Sequence, residues 1–168
     1  MKNEVISNSV RFVFLLLLQV LLLNNIALFG YIVPYLYVLY ILRFPVSGNR
    51  SLLLASSFLL GLCVDIFSNS GGVHAAACVT MAYARPFFLK TSFGISYEYN
   101  VVKVSEMPLG GIITYVFGCL IIHHLVLFTL EVFSTEHMLL ILKSTLFTVI
   151  FSGLLILISF VLLGARRR

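Results

Sequence analysis

The stretch Met138–Gly164, MLLILKSTLFTVIFSGLLILISFVLLG, carries one charged residue, Lys143, and decides the solvent of the whole chain. A helix needs ~20 apolar residues to cross the hydrocarbon of a bilayer, and this run is long enough to do so. Its apolar residues are continuous, as in Leu154-Leu155-Ile156-Leu157-Ile158, and Leu15-Leu16-Leu17-Leu18 repeats the pattern near the start. A membrane barrel strand alternates apolar and polar residues instead. In hydrocarbon every backbone amide must be satisfied within the protein, so the remaining solution is helices.

Composition extends this from one segment to all 168 residues. Hydrophobic residues make up 61% and charged residues 10%, against about 45–50% and 25% in a soluble domain. A water-soluble fold of this size leaves too much chain exposed to hide that apolar surface. The net charge of +5 is read as basic residues in cytoplasmic loops, and no nucleic-acid partner is expected. Cys63, Cys78 and Cys119 lie inside apolar segments and read as small buried hydrophobes. No small-residue cleavage site follows the first apolar run, so no cleavable signal is expected there.

The expected fold is an all-α, six-transmembrane-helix bundle forming one integral membrane domain, with helices at about 12–28, 31–42, 51–67, 73–84, 109–130 and 138–164. Gln19 and Asn24-Asn25 are taken to mark the outer end of the first helix. Pro34 falls in the first turn of the short second one, which is either a partial span or extends over 28–44. Arg85-Pro86 is expected to end the fourth helix, leaving Phe87, Phe88 and Leu89 at the interface. The loop 91–108 is the only long one and shows a weak strand-like alternation over Tyr97–Val102.

Charge gives the expected direction. With six spans and the N-terminus inside, Lys2, Arg11, Arg43, Arg50, Arg85, Lys90, Lys103, Arg166, Arg167 and Arg168 fall on the inner side, and Lys143 alone falls outside. This is the positive-inside bias, and it predicts an inner-membrane protein with both termini cytoplasmic.

Ionisable groups inside the apolar runs are the candidate functional residues. Asp65 sits near the outer end of the third helix and is read either as a partner contact or ion-coupled site, or as a carboxylate at the headgroup level that caps the next helix or pairs locally. His74 follows across a tight Ser68–Gly72 loop and is read either as paired with Asp65 or as an interfacial histidine bonded to a loop carbonyl. His123 and His124 lie mid-helix, about 100° apart, so they do not ligate one metal from one face, and His124 shares a face with Glu131. No metal or other cofactor is expected, because three or four convergent ligands are missing from the pattern. Catalytic motifs are absent from the sequence, so no enzyme activity is expected. Small residues at four-residue spacing form three ridges: Gly72, Ala76, Thr80 and Ala84; Gly110, Thr114 and Gly118; Ser57 and Gly61. Such ridges let membrane helices approach closely, within the bundle or toward another protein.

Phe58-Leu59-Leu60-Gly61-Leu62-Cys63-Val64-Asp65-Ile66-Phe67, followed by Gly71-Gly72-Val73-His74-Ala75-Ala76-Ala77, resembles the Gly-Leu-x-x-Asp element and glycine turn of the rod shape-determining MreD family. Lys2–Ile6, Leu22–Ile26, Gly30-Tyr31-Ile32 with Pro34-Tyr35, Arg85-Pro86 and Ile122–Phe128 are similar to its Bacteroidetes-type branch. The likeness covers nearly the whole chain. It implies a non-enzymatic role in cell shape and peptidoglycan synthesis, as a scaffold binding an MreC-like protein. It also implies links to MreB filaments and to a SEDS glycosyltransferase with a class B penicillin-binding protein, directly or through MreC. The implied fold is similar to the substrate-binding subunits of ECF vitamin transporters, and membership of that transporter class is the alternative function. Gly61 and Asp65 are the positions that match the family element.

Overall fold

The computed structural model describes residues 2–26, 33–94, 97, 104, 108–133 and 138–165, with side chains described from Ile6 to Leu162. The described residues form six α-helices: α1 (Lys2–Leu21), α2 (Leu39–Leu42), α3 (Arg50–Ser68), α4 (Val73–Phe93), α5 (Leu109–Val132) and α6 (Met138–Ala165). Single 3₁₀ turns at Leu23–Asn25 and Leu36–Val38 follow α1 and lead into α2. No strand occurs among the described residues. Among the described residues four helical stretches are long and apolar enough to cross a membrane: Ile6–Asn25, Arg50–Ser68, Leu109–Val132 and Met138–Leu162. Their outward faces carry Ile, Leu, Val and Phe, such as Val10, Phe14 and Leu17 on α1 and Leu146, Leu154 and Ile158 on α6. The chain is therefore an all-helical, membrane-embedded protein.

Several expected boundaries move, each for a local reason. The first helix begins at Lys2, not near residue 12: polar residues end an apolar run without ending the hydrogen-bonded spiral. The second segment is helical only from Leu36. Residues 33–35 are irregular, because Pro34 has no N–H and pushes Val33 away from helical geometry; residues 27–32 lie outside the described ones. The fourth helix passes straight through Pro86 and stops at Gly94, φ 49°. An interior proline forfeits one backbone bond, and a packed helix in a bundle absorbs that loss. Leu89 is thus buried within α4, and Phe88 is packed against Gly118 rather than lying at an interface. Of the strand-like stretch at 97–102, only Tyr97 is described.

Helix ends are set by short side chains. Asn49 caps α3, its Oδ1 accepting from Ser51 N (2.8 Å) and Leu52 N (3.3 Å). The turn from α3 to α4 needs left-handed backbone at Asn69 (φ 52°), Gly71 (φ 67°) and Gly72 (φ 98°), which Gly and Asn tolerate. This reverses the chain within four residues.

Consecutive helices α3, α4, α5 and α6 pack side by side, with α1 against α3 and the segment 33–44 enclosed among them. Glycines mark the closest approaches. A Cβ on Gly61 of α3 would lie 2.5–2.6 Å from backbone atoms of His74 and Ala75 in α4. Gly118 lies under Phe88, and Gly153 under Phe117. The up-and-down order gathers basic residues at one end. Arg11 donates to Arg43 O (3.2 Å), Arg43 stacks over Phe160 (5.1 Å) and Arg50 over Tyr83 (5.1 Å). Lys143 lies in the opening turns of α6, at the opposite end; Lys103 and residues 166–168 lie outside the described ones.

Gly61→Ala tests the α3–α4 contact. Backbone atoms cannot rotate away, so the helices must separate, at a cost of about 1–3 kcal/mol. A lowered melting temperature in detergent is expected for Gly61→Ala. Gly110→Ala should be neutral, since nothing lies within 4 Å of its would-be Cβ. Equal melting of the two would refute close packing at Gly61.

Candidate functional site

The polar interior is organised around the inserted segment 33–44. Its backbone leaves a helix near mid-depth, where Ser152, halfway along α6, meets it, and where unpaired amides are most costly. Gln19 of α1 is fully buried and replaces the missing helix. Its Oε1 accepts from Leu36 N (2.9 Å) and more weakly from Tyr37 N (3.4 Å), while Nε2 donates to Pro34 O (3.0 Å) and Asn24 Oδ1 (2.9 Å). Ser152 Oγ accepts from Tyr35 N (3.0 Å). Three successive amides are thereby capped by side chains from two other helices.

The far end of the insert is held by a buried cation. Arg85 Nη2 donates to the carbonyls of Phe44 and Leu42, and Nε donates to Tyr115 Oη (2.7 Å), which in turn donates to Leu42 O (3.0 Å). These contacts give the guanidinium carbonyl and hydroxyl dipoles instead of a carboxylate. The C-terminal carbonyls of α2 carry the negative end of its dipole, which suits a cation.

Between the two ends, Tyr37 Oη sits 2.9 Å from His74 Nδ1 and 3.0 Å from His123 Nε2. A phenol has one proton to give, so one imidazole accepts from Tyr37 and the other donates to it. Cys78 Sγ lies 3.9 Å from His123 Nε2. The ring of Tyr35 approaches both His74 (5.4 Å) and His124 (5.5 Å), an arrangement of interlocked rings rather than stacked ones. Together Gln19, His74, Arg85, Tyr115, His123 and Ser152 place side chains from α1, α4, α5 and α6 on this one insert.

Asp65 has a different task. It is buried in the last turn of α3, where Oδ1 accepts from Ser70 Oγ and from His74 N (3.0 Å), and Oδ2 accepts from Ala75 N (2.8 Å). Gly72 occupies the capping position of α4 and has no side chain to offer, so Asp65 supplies the cap from the preceding helix. A carboxylate also matches the positive end of the α4 dipole. Asp65 meets the backbone of His74, not its imidazole, which turns toward Tyr37. His74 and His123 are brought together; His124 turns aside to Leu120 O (2.8 Å). Glu131 is exposed, whereas His124 is buried, so their shared face does not bring them to one site. Among the described residues no three His, Cys, Asp or Glu side chains could hold a metal. Cys78 and Cys119 are buried and Cys63 half-buried, all as free thiols.

Sequence reasoning passed over Tyr37, Tyr115 and Ser152, took Gln19 for a marker of the outer end of the first helix, and took Arg85-Pro86 for the end of the fourth. One signal was present: Pro34 inside a short apolar segment demands foreign hydrogen-bond partners, and Gln19 is an amide in an otherwise apolar run.

Gln19→Leu keeps the volume and strands the amides of Leu36 and Tyr37 and the carbonyl of Pro34, each costing ~1–3 kcal/mol. A large drop in detergent melting temperature is expected, against little change for Asn25→Leu, which loses one exposed bond to Leu21 O. Equivalent melting of the two variants would remove the stapling role. Asp65→Ala removes the α4 cap, at about 0.5–2 kcal/mol, and should lower accumulation in membranes; Asp65→Asn, which keeps its acceptor oxygen, should lose less. No protein-family model, curated protein or solved structure matches the chain, so its site is read from its own geometry.

Proposed function

We propose that the chain is a non-enzymatic membrane scaffold of the cell-elongation machinery, of the MreD kind, that captures a membrane-anchored, MreC-like partner on the outer face of α4. The observation that carries this reading is the ridge Gly72, Ala76, Thr80 and Ala84. The packed side of α4 presents Ala75, Cys78, Ala82 and Arg85 to the bundle, whereas Thr80 is exposed and Gly72, Ala76 and Ala84 are only partly covered. Small residues on an uncovered helix face suit the close approach of a second transmembrane helix. Thr80 Oγ1 is bonded to Ala76 O (2.8 Å), so the ridge offers shape rather than hydrogen bonds. Tyr83 and Phe87 flank it as exposed aromatics.

The interior supports the same reading from the other side. Gln19, Ser152, Arg85, Tyr115, His74 and His123 hold the insert and Asp65 caps a helix, which suits a rigid docking body. In this reading the basic end of the bundle faces the cytoplasm, following the positive-inside rule, and both termini lie there. MreB filaments and the SEDS glycosyltransferase with its class B penicillin-binding protein are then met directly or through MreC. The outward Leu, Val and Phe of α1 and α6 face membrane lipid.

Co-expression with an MreC-like partner and affinity capture in detergent tests the reading. Ala76→Leu/Thr80→Leu should reduce capture by ~10-fold, equivalent to about 1.4 kcal/mol, with normal accumulation of the chain. Phe14→Leu, on the lipid-facing side of α1, should leave capture unchanged. Undiminished capture by the ridge variant, or a robust complex with an ECF energy-coupling module in place of the partner, would overturn it.

A further inference from the structure

The bundle separates its charges by end. Among the described side chains the carboxylates are Asp65, in the last turn of α3, and Glu131, in the last turn of α5. Neighbouring helices run antiparallel, so both lie at the end opposite the start of α3. At that start stands Arg50, and Tyr83, Phe87 and Lys90 lie along the second half of α4, toward the same end. All four are exposed.

Distances tie Arg50 to this strip of α4. Its guanidinium stands 5.1 Å from the centre of the Tyr83 ring, within the reach of a cation–π contact. Its Nη2 donates to Tyr83 O at 3.5 Å, the limit of a hydrogen bond. A guanidinium carries more N–H groups than one carbonyl uses, and Arg50 has no further partner among the described residues. The ring contact thus fixes where the cation stands and leaves donors for an acceptor from outside the chain. Residues 83, 87 and 90 are spaced by four and three, so they share one face of α4. Phe87 is held edge-on by Phe88 (5.3 Å), whose ring packs on Gly118. Lys90 stands two turns beyond Tyr83, a rise of about 10 Å, and Phe87 falls between them.

We infer that this strip, with Arg50 and Lys90 on either side of Phe87, binds the phosphate of an anionic phospholipid, whose glycerol and upper acyl chains lie against Tyr83 and Phe87. Arg50 is the first residue of a stretch long and apolar enough to cross a membrane, Arg50–Ser68, which sets its charge at headgroup level. From there Leu52, Phe58 and Leu59 expose apolar surface along α3, the course that acyl chains take from such a headgroup. Arginine offers phosphate oxygens a fork of N–H donors, and a tyrosine at the interface has one wet and one apolar end. Two cations at an end where no described carboxylate lies favour a net-negative headgroup over a zwitterionic one. A carboxylate on a protein partner would answer the cations but not the apolar stretch beside them. A lipid here needs only the membrane embedding of the chain and is independent of which helix docks beside Thr80.

Native mass spectrometry of the full chain, released from detergent with equimolar phosphatidylglycerol and phosphatidylcholine, tests this. Phosphatidylglycerol should be retained in preference. Arg50→Gln and Lys90→Gln should each weaken its retention about 5-fold, the equivalent of ~1 kcal/mol per cation, and the double variant should lose the preference. Both positions are exposed, so the variants should melt with the unaltered chain. Lys143→Gln, which removes an exposed cation at the opposite end, should retain phosphatidylglycerol as before. Equal retention of the two lipids by the unaltered chain, an intact preference in the double variant, or an equal loss in Lys143→Gln overturns the proposal. Displacement of the lipid by inorganic phosphate at the same concentration also overturns it, since that marks an anion site without a lipid. Loss of capture of an MreC-like partner by the double variant, with the lipid preference intact, assigns the cations to a protein contact and overturns it equally.

Discussion

Hydrocarbon offers no hydrogen bonds, and the rest of the molecule is arranged around that deficit at one place. Residues 33–44 enter the bundle without a regular helix at their start, and the surrounding helices supply what a helix would have supplied for itself. Gln19 and Ser152 take the first amides; Arg85 and Tyr115 take the last carbonyls; His74 and His123 hold the tyrosine between. Each unsatisfied backbone group at this depth costs several kcal/mol, more than any one of these side chains gains by itself. The buried amide of Gln19, the guanidinium of Arg85 and the imidazoles of His74 and His123 are thus bound up with one irregular stretch. Their burial does not by itself imply chemistry.

A second constraint works through volume. Gly61 lets α3 and α4 touch backbone to backbone, and Asp65, one turn further on, reaches the exposed amides at the start of α4. The two residues depend on each other. Without the close approach at Gly61 the carboxylate falls short of Ala75 N, and without the cap the opening of α4 lacks a partner for its first amides. The reversal through Asn69, Gly71 and Gly72 fixes the geometry that both require.

Much of this architecture was legible in the sequence, because apolar runs and the caps that end them are local signals. The helical class, the membrane as solvent and the positions of α3, α5 and α6 follow from windows of twenty residues. The misplaced features share a cause. Arg85-Pro86 has the local form of a helix stop, yet α4 continues, since the tertiary demand for a cation at Leu42 and Phe44 keeps Arg85 on a buried face. Gln19 has the local form of a helix end, yet its partners on the insert lie 15 to 18 residues away. Tyr37 and His123 are 86 positions apart, and no window of sequence shows them meeting. The Asp65–His74 pairing was legible as proximity, but which atoms pair depends on the turn, and the turn brings the backbone of His74 to Asp65 rather than its ring.

The division between inside and outside then decides where function is to be sought. A polar residue that is already bonded to the insert cannot be lost without loosening the fold, so substitutions at Gln19, Arg85 or His74 report on stability whatever the protein does. Residues on the uncovered face of α4 are under no such duty: Ala76 and Thr80 carry little of the bundle's packing, and their small size has no internal explanation. A larger side chain there would cover more lipid-facing surface at no cost to the core. α4 keeps this face narrow while its other sides pack against α3 and α5, filled by Met81, Arg85 and Leu89, an asymmetry that the proposed docking of an outside helix would require.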